Sequence, residues 1–249
     1  MKIDINCDLG EGSDLISCER DAQIMPFISR CNIACGGHAG NLEIMRLSIR
    51  NAQQYKLKIG AHPSYPDREN FGRKSVAISP NQLLDSLYAQ INQLQTLAIA
   101  AGTQLDHIKL HGALYNDAEA DQLLAQRITS LLSEEYPSLK IIGLANSTME
   151  AAAAEKNRIF YREGFMDRQY INKEKLAPRD LPGSVLNNID HCLERAVALA
   201  KGTGITSYHG IPLKFSVDTI CLHSDNPIAV RIAERLVNHL QLHGLSIHS

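Results

Sequence analysis

The chain has 249 residues, of which 44% are hydrophobic and 21% charged, with a net charge of −2. That balance belongs to a folded domain able to bury roughly 70–75% of its unfolded surface, and it offers no broad field for nucleic acid or an anionic membrane. No run reaches the roughly 18 apolar residues of a membrane span, and the opening MKIDINCD carries Asp4 and Asp8 where a signal peptide would be basic and then apolar. Cys7, Cys18, Cys31, Cys35, Cys192 and Cys221 show no paired CxxC spacing. They are expected to be reduced thiols in a cytoplasmic protein.

In chain order, short apolar runs alternate with longer amphipathic ones. Strands are expected at 2–7, 31–35, 57–61, 107–111, 139–144, 158–162 and 217–222. Each is short and rich in Ile, Val or Leu without clean alternation, as buried parallel strands read. Helices are expected near 18–29, 41–55, 80–101, 118–135, 147–157, 185–201 and 226–243. The clearest is SPNQLLDSLYAQINQLQTLAIAAG, with Ser79 as N-cap, Pro80 at the first helical position and Gly102 as its stop. In the last helix, Asn226-Pro227 open and Gly244 closes. Irregular stretches at 62–79 and 163–184 interrupt the rhythm, and Ile205 to Phe215 reads as a hairpin through Gly210.

Even alternation without a Pro/Ser-rich linker argues for one α/β domain over 1–249 with a parallel sheet. An open sheet gathers its site at one switch point, whereas a barrel collects it from many strand ends. Here nearly every strand contributes polar candidates at an end: Asn6, Asp8 and Glu11; His38; His62; Lys109 and His111; Asp167 and Arg168; Asp218, His223 and Asp225, although Asp218 sits at its strand's start and has a structural reading as well. That distribution predicts closure around a common centre.

Each cluster has a chemical and a structural reading. In NCDLGEG, Asp8 and Glu11 suit general acid/base work or metal ligation, or else a turn and a helix cap. In CGGHAGN, three glycines let the backbone around His38 approach something closely, or His38 is a hydrogen-bonded structural residue. GAHPSYPDRENFGRK sets His62 at the root of a loop whose Arg68, Arg73 and Lys74 could receive a carboxylate or phosphate, or simply be solvated. HIKLHGALYN is the sharpest pattern, because residues 107, 109 and 111 of a strand share one face. His107, Lys109 and His111 would line the barrel interior, where buried cations need acids such as Asp8, Glu11, Asp167 or Asp218 to answer them. Asp225 reads as a helix cap. GxxxxGK[ST], GxSxG and HExxH are all absent.

Together, MKIDINCDLGEG, NIACGGHAG, GAHPSYPD…FGRK, HIKLHGALYN and DTICLHSDNP resemble the LamB/YcsF family, whose members form the A subunit of bacterial 5-oxoprolinase. The resemblance runs from residue 1 to about residue 240. It implies a distorted seven-stranded TIM-like barrel of the glycoside hydrolase/deacetylase type. It also implies ATP-dependent opening of the 5-oxoproline (pyroglutamate) lactam to glutamate, together with separate B and C subunits. On this resemblance Asp8, Glu11, His38, His62, Lys109 and His111 are the catalytic candidates. Asp8 or Glu11 would activate water, a histidine would move a proton, and Lys109 and Arg168 would hold carboxylate or phosphoryl charge. Asn6, Arg73, Tyr115, Asp167, Arg168, Asp218 and His223 are the substrate-binding candidates.

ATP is the implied co-substrate, bound with or by the partner subunits. No metal ligand is assigned, and whether this subunit holds a divalent ion is left open. The chain departs from the family pattern at Gly37 (an aromatic residue there), Asn41 (Asp), Leu110 (Pro) and Ser224 (Gly). Two other readings compete. One is a metal-dependent deacetylase or amide hydrolase using Asp8, His38 and His62 or His111. The other is a non-catalytic subunit that binds a small carboxylate.

Overall fold

The computed structural model describes residues 1–224 and 229–247. The Asp225 cap and the Asn226-Pro227 helix opening lie outside the described residues. Six strands follow one another around a parallel sheet: β1 (Lys2–Leu9), β2 (Arg30–Ala34), β3 (Lys58–His62), β4 (His107–Lys109), β5 (Lys140–Leu144) and β6 (Phe160–Phe165). A closing strand, Thr219–His223, pairs with β6 on one side and with β1 on the other, so these seven strands close on themselves, and the short strand Ser246–Ile247 adds alongside the start of β1. This is the closed, seven-stranded parallel barrel that the resemblance implies. Outside it stand α1 (Leu15–Ile24), α2 (Leu42–Gln54), α3 (Pro80–Ala100), α4 (Gly112–Ala120), α5 (Gln122–Glu135), α6 (Thr148–Glu155), α7 (Ile189–Lys201) and α8 (Ala229–Leu242). Among the described residues, no helix is long and apolar enough to cross a membrane.

Local chemistry sets these boundaries. Ser79 and Gln82 form a capping box ahead of Pro80, as the sequence predicts for α3. The helix expected over 118–135 is instead two. Asp121 adopts an extended conformation and its side chain accepts from the Leu123 and Leu124 N–H groups, so it ends α4 and caps α5. The strand expected at 158–162 runs on to Phe165, which draws Glu163 into the sheet. Ile205–Thr206 and Pro212–Leu213 make the expected short hairpin.

The alternation along β1 divides the molecule. Ile3, Ile5, Cys7 and Leu9 join the apolar core between sheet and helices. Asp4, Asn6 and Asp8 are buried too, but their partners lie across the barrel on other strands. At the foot, Asp4 accepts from Arg30 Nε at 2.8 Å and from Thr219 Oγ1 at 2.6 Å. Arg30 continues to Asp106, which also pairs with Lys140 at 2.6 Å. Above this, Asn32 Nδ2 donates to Asn6 Oδ1 and Asp8 Oδ1, and His107 Nε2 meets Asn32 Oδ1 at 2.8 Å. The interior is therefore a hydrogen-bonded polar ladder where apolar layers are usual.

Gly60 makes room for one rung. A Cβ there would lie 2.1 Å from His107 Nε2. Gly60→Ala is expected to cost about 1–3 kcal/mol by overpacking, seen as a lower urea midpoint. An unchanged midpoint would mean that His107 can turn aside freely.

Candidate active site

The strand ends bring most of the predicted residues to one mouth. Asp8 comes from β1 and Glu11 from the turn behind it, where Gly10 takes φ +72°. His62 ends β3, Lys109 ends β4, and His111 is the N-cap residue of α4. Glu163 comes from β6 and His223 from the closing strand.

Two groupings result. Lys109, 2% exposed, directs Nζ to Glu163 Oε1 at 2.8 Å, Asp8 Oδ1 at 2.9 Å, Asn6 Oδ1 at 3.1 Å and Cys221 Sγ at 3.2 Å. Tyr115 Oη donates to the other oxygen of Glu163 at 2.9 Å. Beside this, Glu11 Oε1 lies 3.0 Å from His38 Nε2, 3.0 Å from His111 Nδ1 and 3.7 Å from His62 Nε2. His62 Nε2 joins the two groupings at 3.4 Å from Asp8 Oδ2.

The loop after β3 holds the histidines. The Pro63 carbonyl accepts the His111 N–H at 2.9 Å, and the Gly72 carbonyl accepts that of Ala113 at 2.8 Å. Tyr65 Oη donates to Asp117 on α4 at 2.9 Å. Phe71 and Gly72 both take positive φ, 55° and 61°, which turns the Phe71 carbonyl onto His111 Nε2 at 3.0 Å. The prolines around Ser64-Tyr65 thus stiffen a segment that is clamped to the start of α4.

Charge is opposed pairwise. Burial alone would raise the Asp8 carboxyl, but His62 and Lys109 hold it well below the usual carboxylate range. Burial likewise disfavours charge on Lys109, yet Asp8, Cys221 and Glu163 keep its ammonium well above the ordinary value. Against the burial cost, hydrogen bonds from His111 and His38 hold Glu11 low. Burial outweighs Glu11 at His38 and brings it down to about 4, so that ring is neutral near pH 7. His62 goes the other way: Asp8 and Glu11 overcome burial and raise it. At the rim, His223 Nδ1 and Asp167 Oδ2 meet at 2.7 Å. Despite burial of both groups, the pairing raises the imidazole and lowers the carboxyl.

Beside these groups lies a cavity of about 360 Å³, at the small end of ligand pockets (roughly 300–1,000 Å³). Asp8, Glu11, His62, Lys109 and His111 form its floor, and Arg73, Tyr115, Arg168 and His223 its wall. Arg179 reaches over from the far loop to within 3.4 Å of His223 Nε2. Arg168 donates to the Ala177 carbonyl at 2.6 Å, and burial lowers its guanidinium to about 10.

Three sequence-predicted residues have other places. Asp218 is not at the mouth. It precedes the closing strand, roughly 16 Å along the chain from His223 at strand rise, and its carboxylate pairs with Arg162 at 2.7 and 2.8 Å. Asn6, wholly buried, lies beneath Asp8 and donates to Glu163 Oε1 at 2.9 Å, a positioning place rather than a substrate contact. His38 lies behind Glu11 and outside the described cavity wall.

Sequence reasoning missed Glu163 and Asn32. Their signal was a polar residue at the interior-facing step of a strand, within FYREGF and RCNIA. The departures from the family pattern are accommodated locally. Gly37 leaves space that Gln90 and Ser64 occupy, a Cβ there lying 2.3 Å from Gln90 Oε1. Leu110 borders the cavity, and Ser224 Oγ donates to the Asp8 carbonyl at 2.6 Å.

Comparison with known proteins agrees with this geometry. The sequence pattern of the LamB/YcsF family matches residues 3–249. The chain belongs to the LamB/YcsF family. Among relatives, the 5-oxoprolinase A subunit of Heliobacterium modesticaldum is 38% identical over 249 residues, covering 99% of this chain and 97% of that protein. Its Bacillus cereus counterpart is 37% identical over 246 residues, covering 98% and 97%. The crystal structure of the lactam utilization protein from Thermus thermophilus superimposes with a TM-score of 0.91 at 31% identity, covering 100% of this chain and 99% of that one. In this LamB/YcsF chain the polar ladder and the histidine cluster therefore sit on the family barrel.

Proposed function

We propose that this chain is the A subunit of an ATP-dependent 5-oxoprolinase, opening the lactam of 5-oxo-L-proline to L-glutamate in a complex with B and C subunits. The observation that carries the reading is the meeting of Asp8 and Glu11 with His62, His111 and Lys109 on the floor of a small cavity with a cationic wall. Relatives that bear the name of this enzyme's A subunit support it.

An unstrained lactam resists water because its amide resonance must be broken and its nitrogen protonated. Transfer of the ATP γ-phosphoryl group to the carbonyl oxygen, releasing ADP, gives an imidate-like carbon open to attack. Asp8 or Glu11 takes the proton of the attacking water, and the histidine cluster delivers one to nitrogen as the C–N bond breaks. A second water releases phosphate and leaves glutamate. Arg73 and Arg168, which border the cavity, are the residues we assign to the substrate carboxylate, a group suited to arginine's paired donors. The cavity suits the small acid, and ATP is assigned to the partner side.

The test is glutamate formation from 5-oxoproline and ATP by a mixture of B and C subunits, with this chain present or omitted. Glutamate only in the complete mixture is the expected result. Its absence, with partners shown active beside another A subunit, would overturn the reading. Within the active complex, His62→Asn should lower turnover on the order of 10² to 10⁴-fold with a near-native melting temperature. Full activity would remove His62 from the chemistry.

A further inference from the structure

Three electron-pair-bearing atoms converge beside Asp8 with too few protons to go between them. His62 Nδ1 lies 2.8 Å from the Lys109 carbonyl oxygen, and His111 Nε2 lies 3.0 Å from that of Phe71. A carbonyl only accepts, so both of these nitrogens carry hydrogen. The remaining ring nitrogens, His62 Nε2 and His111 Nδ1, face each other across 3.1 Å. Glu11 Oε1 stands 3.0 Å from the second and 3.7 Å from the first. One shared proton joins two of the three atoms and leaves a carboxylate against a bare nitrogen, or two bare nitrogens together. Two protons set two imidazolium rings side by side. A single doubly charged ion answers all three atoms at once.

We propose that this chain binds one divalent transition-metal ion on His62 Nε2, His111 Nδ1 and Glu11 Oε1, with the remaining side of the ion open to the cavity. The separations of 3.0, 3.1 and 3.7 Å bracket the roughly 3.4 Å expected between tetrahedral ligands at bond lengths of about 2.1 Å. The His62 and His111 rings stand at 88°, so their in-plane electron pairs can meet at one point. His38 is different. Its ring stacks on His111 with centroids 3.6 Å apart and planes 2° from parallel, and one ion cannot lie in both planes. His38 instead supports the ligand Glu11 through Nε2 at 3.0 Å, as the Lys109 and Phe71 carbonyls support the two ligand rings. Glu11, His62 and His111 all border the cavity. Two imidazoles and one carboxylate with an open position suit Zn²⁺, Mn²⁺ or Fe²⁺. Asp8 Oδ2, 3.4 Å from His62 Nε2, is placed to join the ion or to take a proton beside it.

This inference deepens the reading of the same centre as the reacting one: with Glu11, His62 and His111 on the ion, Asp8 is the carboxylate left to act as base. Its test needs no substrate, ATP or partner, so either can fail alone. The full-length chain is stripped with chelator, then titrated with Co²⁺ while its visible d–d absorption is followed, and separately dialysed against Zn²⁺ for elemental analysis. One ion per chain is expected, with the Co²⁺ bands of a low-coordinate site. His62→Gln and His111→Gln should each abolish the bands, and His38→Ala should weaken binding by about 10–100-fold without abolishing it. The other histidine-rich cluster, Glu194, His239 and His243 on the outer helices, is removed by His239→Ala/His243→Ala as a control. The proposal is overturned if the wild-type chain binds neither ion stoichiometrically, or if the bands vanish only with the control. Bands that survive in folded His62→Gln and His111→Gln proteins overturn it equally. Wild-type stoichiometry decides the first point even where a variant fails to fold.

Discussion

Lys109→Met should destabilise the protein by about 3–5 kcal/mol at neutral pH, the usual consequence of removing one partner from a buried charge cluster. The substitution keeps the length and apolar body of the side chain but takes away the ammonium, which Asp8 and Glu163 meet at 2.9 and 2.8 Å. Among the described residues, neither carboxylate has another cation so close. Of the partners described, Glu163, wholly buried, would keep Tyr115 and the Asn6 amide, and Asp8 would keep Asn32 with His62 and His223 as more distant partners. Turnover in the complete complex should fall on the order of 10³-fold, because Asp8 loses a charge that holds it ionised and the floor loses its preorganised field. The double variant Lys109→Met/Glu163→Gln separates the two effects. It should recover part of the lost stability, one uncompensated charge having gone, and none of the turnover. Urea midpoints of the three proteins measure the first statement and glutamate formation the second. A single variant with the wild-type midpoint would show that Lys109 is not the counter-charge of this cluster.

Much of that cluster was legible in the sequence, for a physical reason. Strand periodicity places residues 107, 109 and 111 on one face, and a face with two histidines and a lysine inside a barrel demands acids. Asp8 and Glu11, set after the first apolar run, were the evident ones. Glu163 was harder, because the run Arg158 to Arg162 looks complete and the two charges in Arg162-Glu163 resemble a strand end. Only the pairing of Leu144 with Glu163, and of Glu163 with Thr219, carries the strand onward. Asp218 failed for a different reason. The sequence already sets Asp218 at the start of its strand, and in a parallel barrel that end lies away from the site, where Arg162 pairs with it. The break at Asp121 was concealed by continuous helical periodicity on both sides. Tertiary pairing decided the place of Glu163, and it is invisible to local pattern.

Glu119 leads to the second large effect, and here replacing a buried titratable group by a neutral one should stabilise the protein. The residue is 6% exposed on α4 and borders the cavity, and its Oε1 accepts the Leu144 N–H at 2.9 Å. Burial, only partly offset by hydrogen bonds, raises its carboxyl to about 8. In the unfolded chain the same group titrates near 4.5. Between these values the folded state holds a proton that the unfolded state has released, so stability falls as pH rises through that window. Each unit contributes about 1.4 kcal/mol, which accumulates to an order of 4 kcal/mol by pH 8 and then levels off. Glu119→Gln keeps the acceptor for Leu144 and has no proton to lose. Its stability relative to wild type should therefore be near equal at pH 5 and should climb steadily toward pH 8. Urea unfolding of both proteins across that range, with the difference plotted against pH, measures the effect directly. A difference that stays flat would mean that Glu119 is ionised in the folded protein, with a cation or solvent reaching it in the cavity wall.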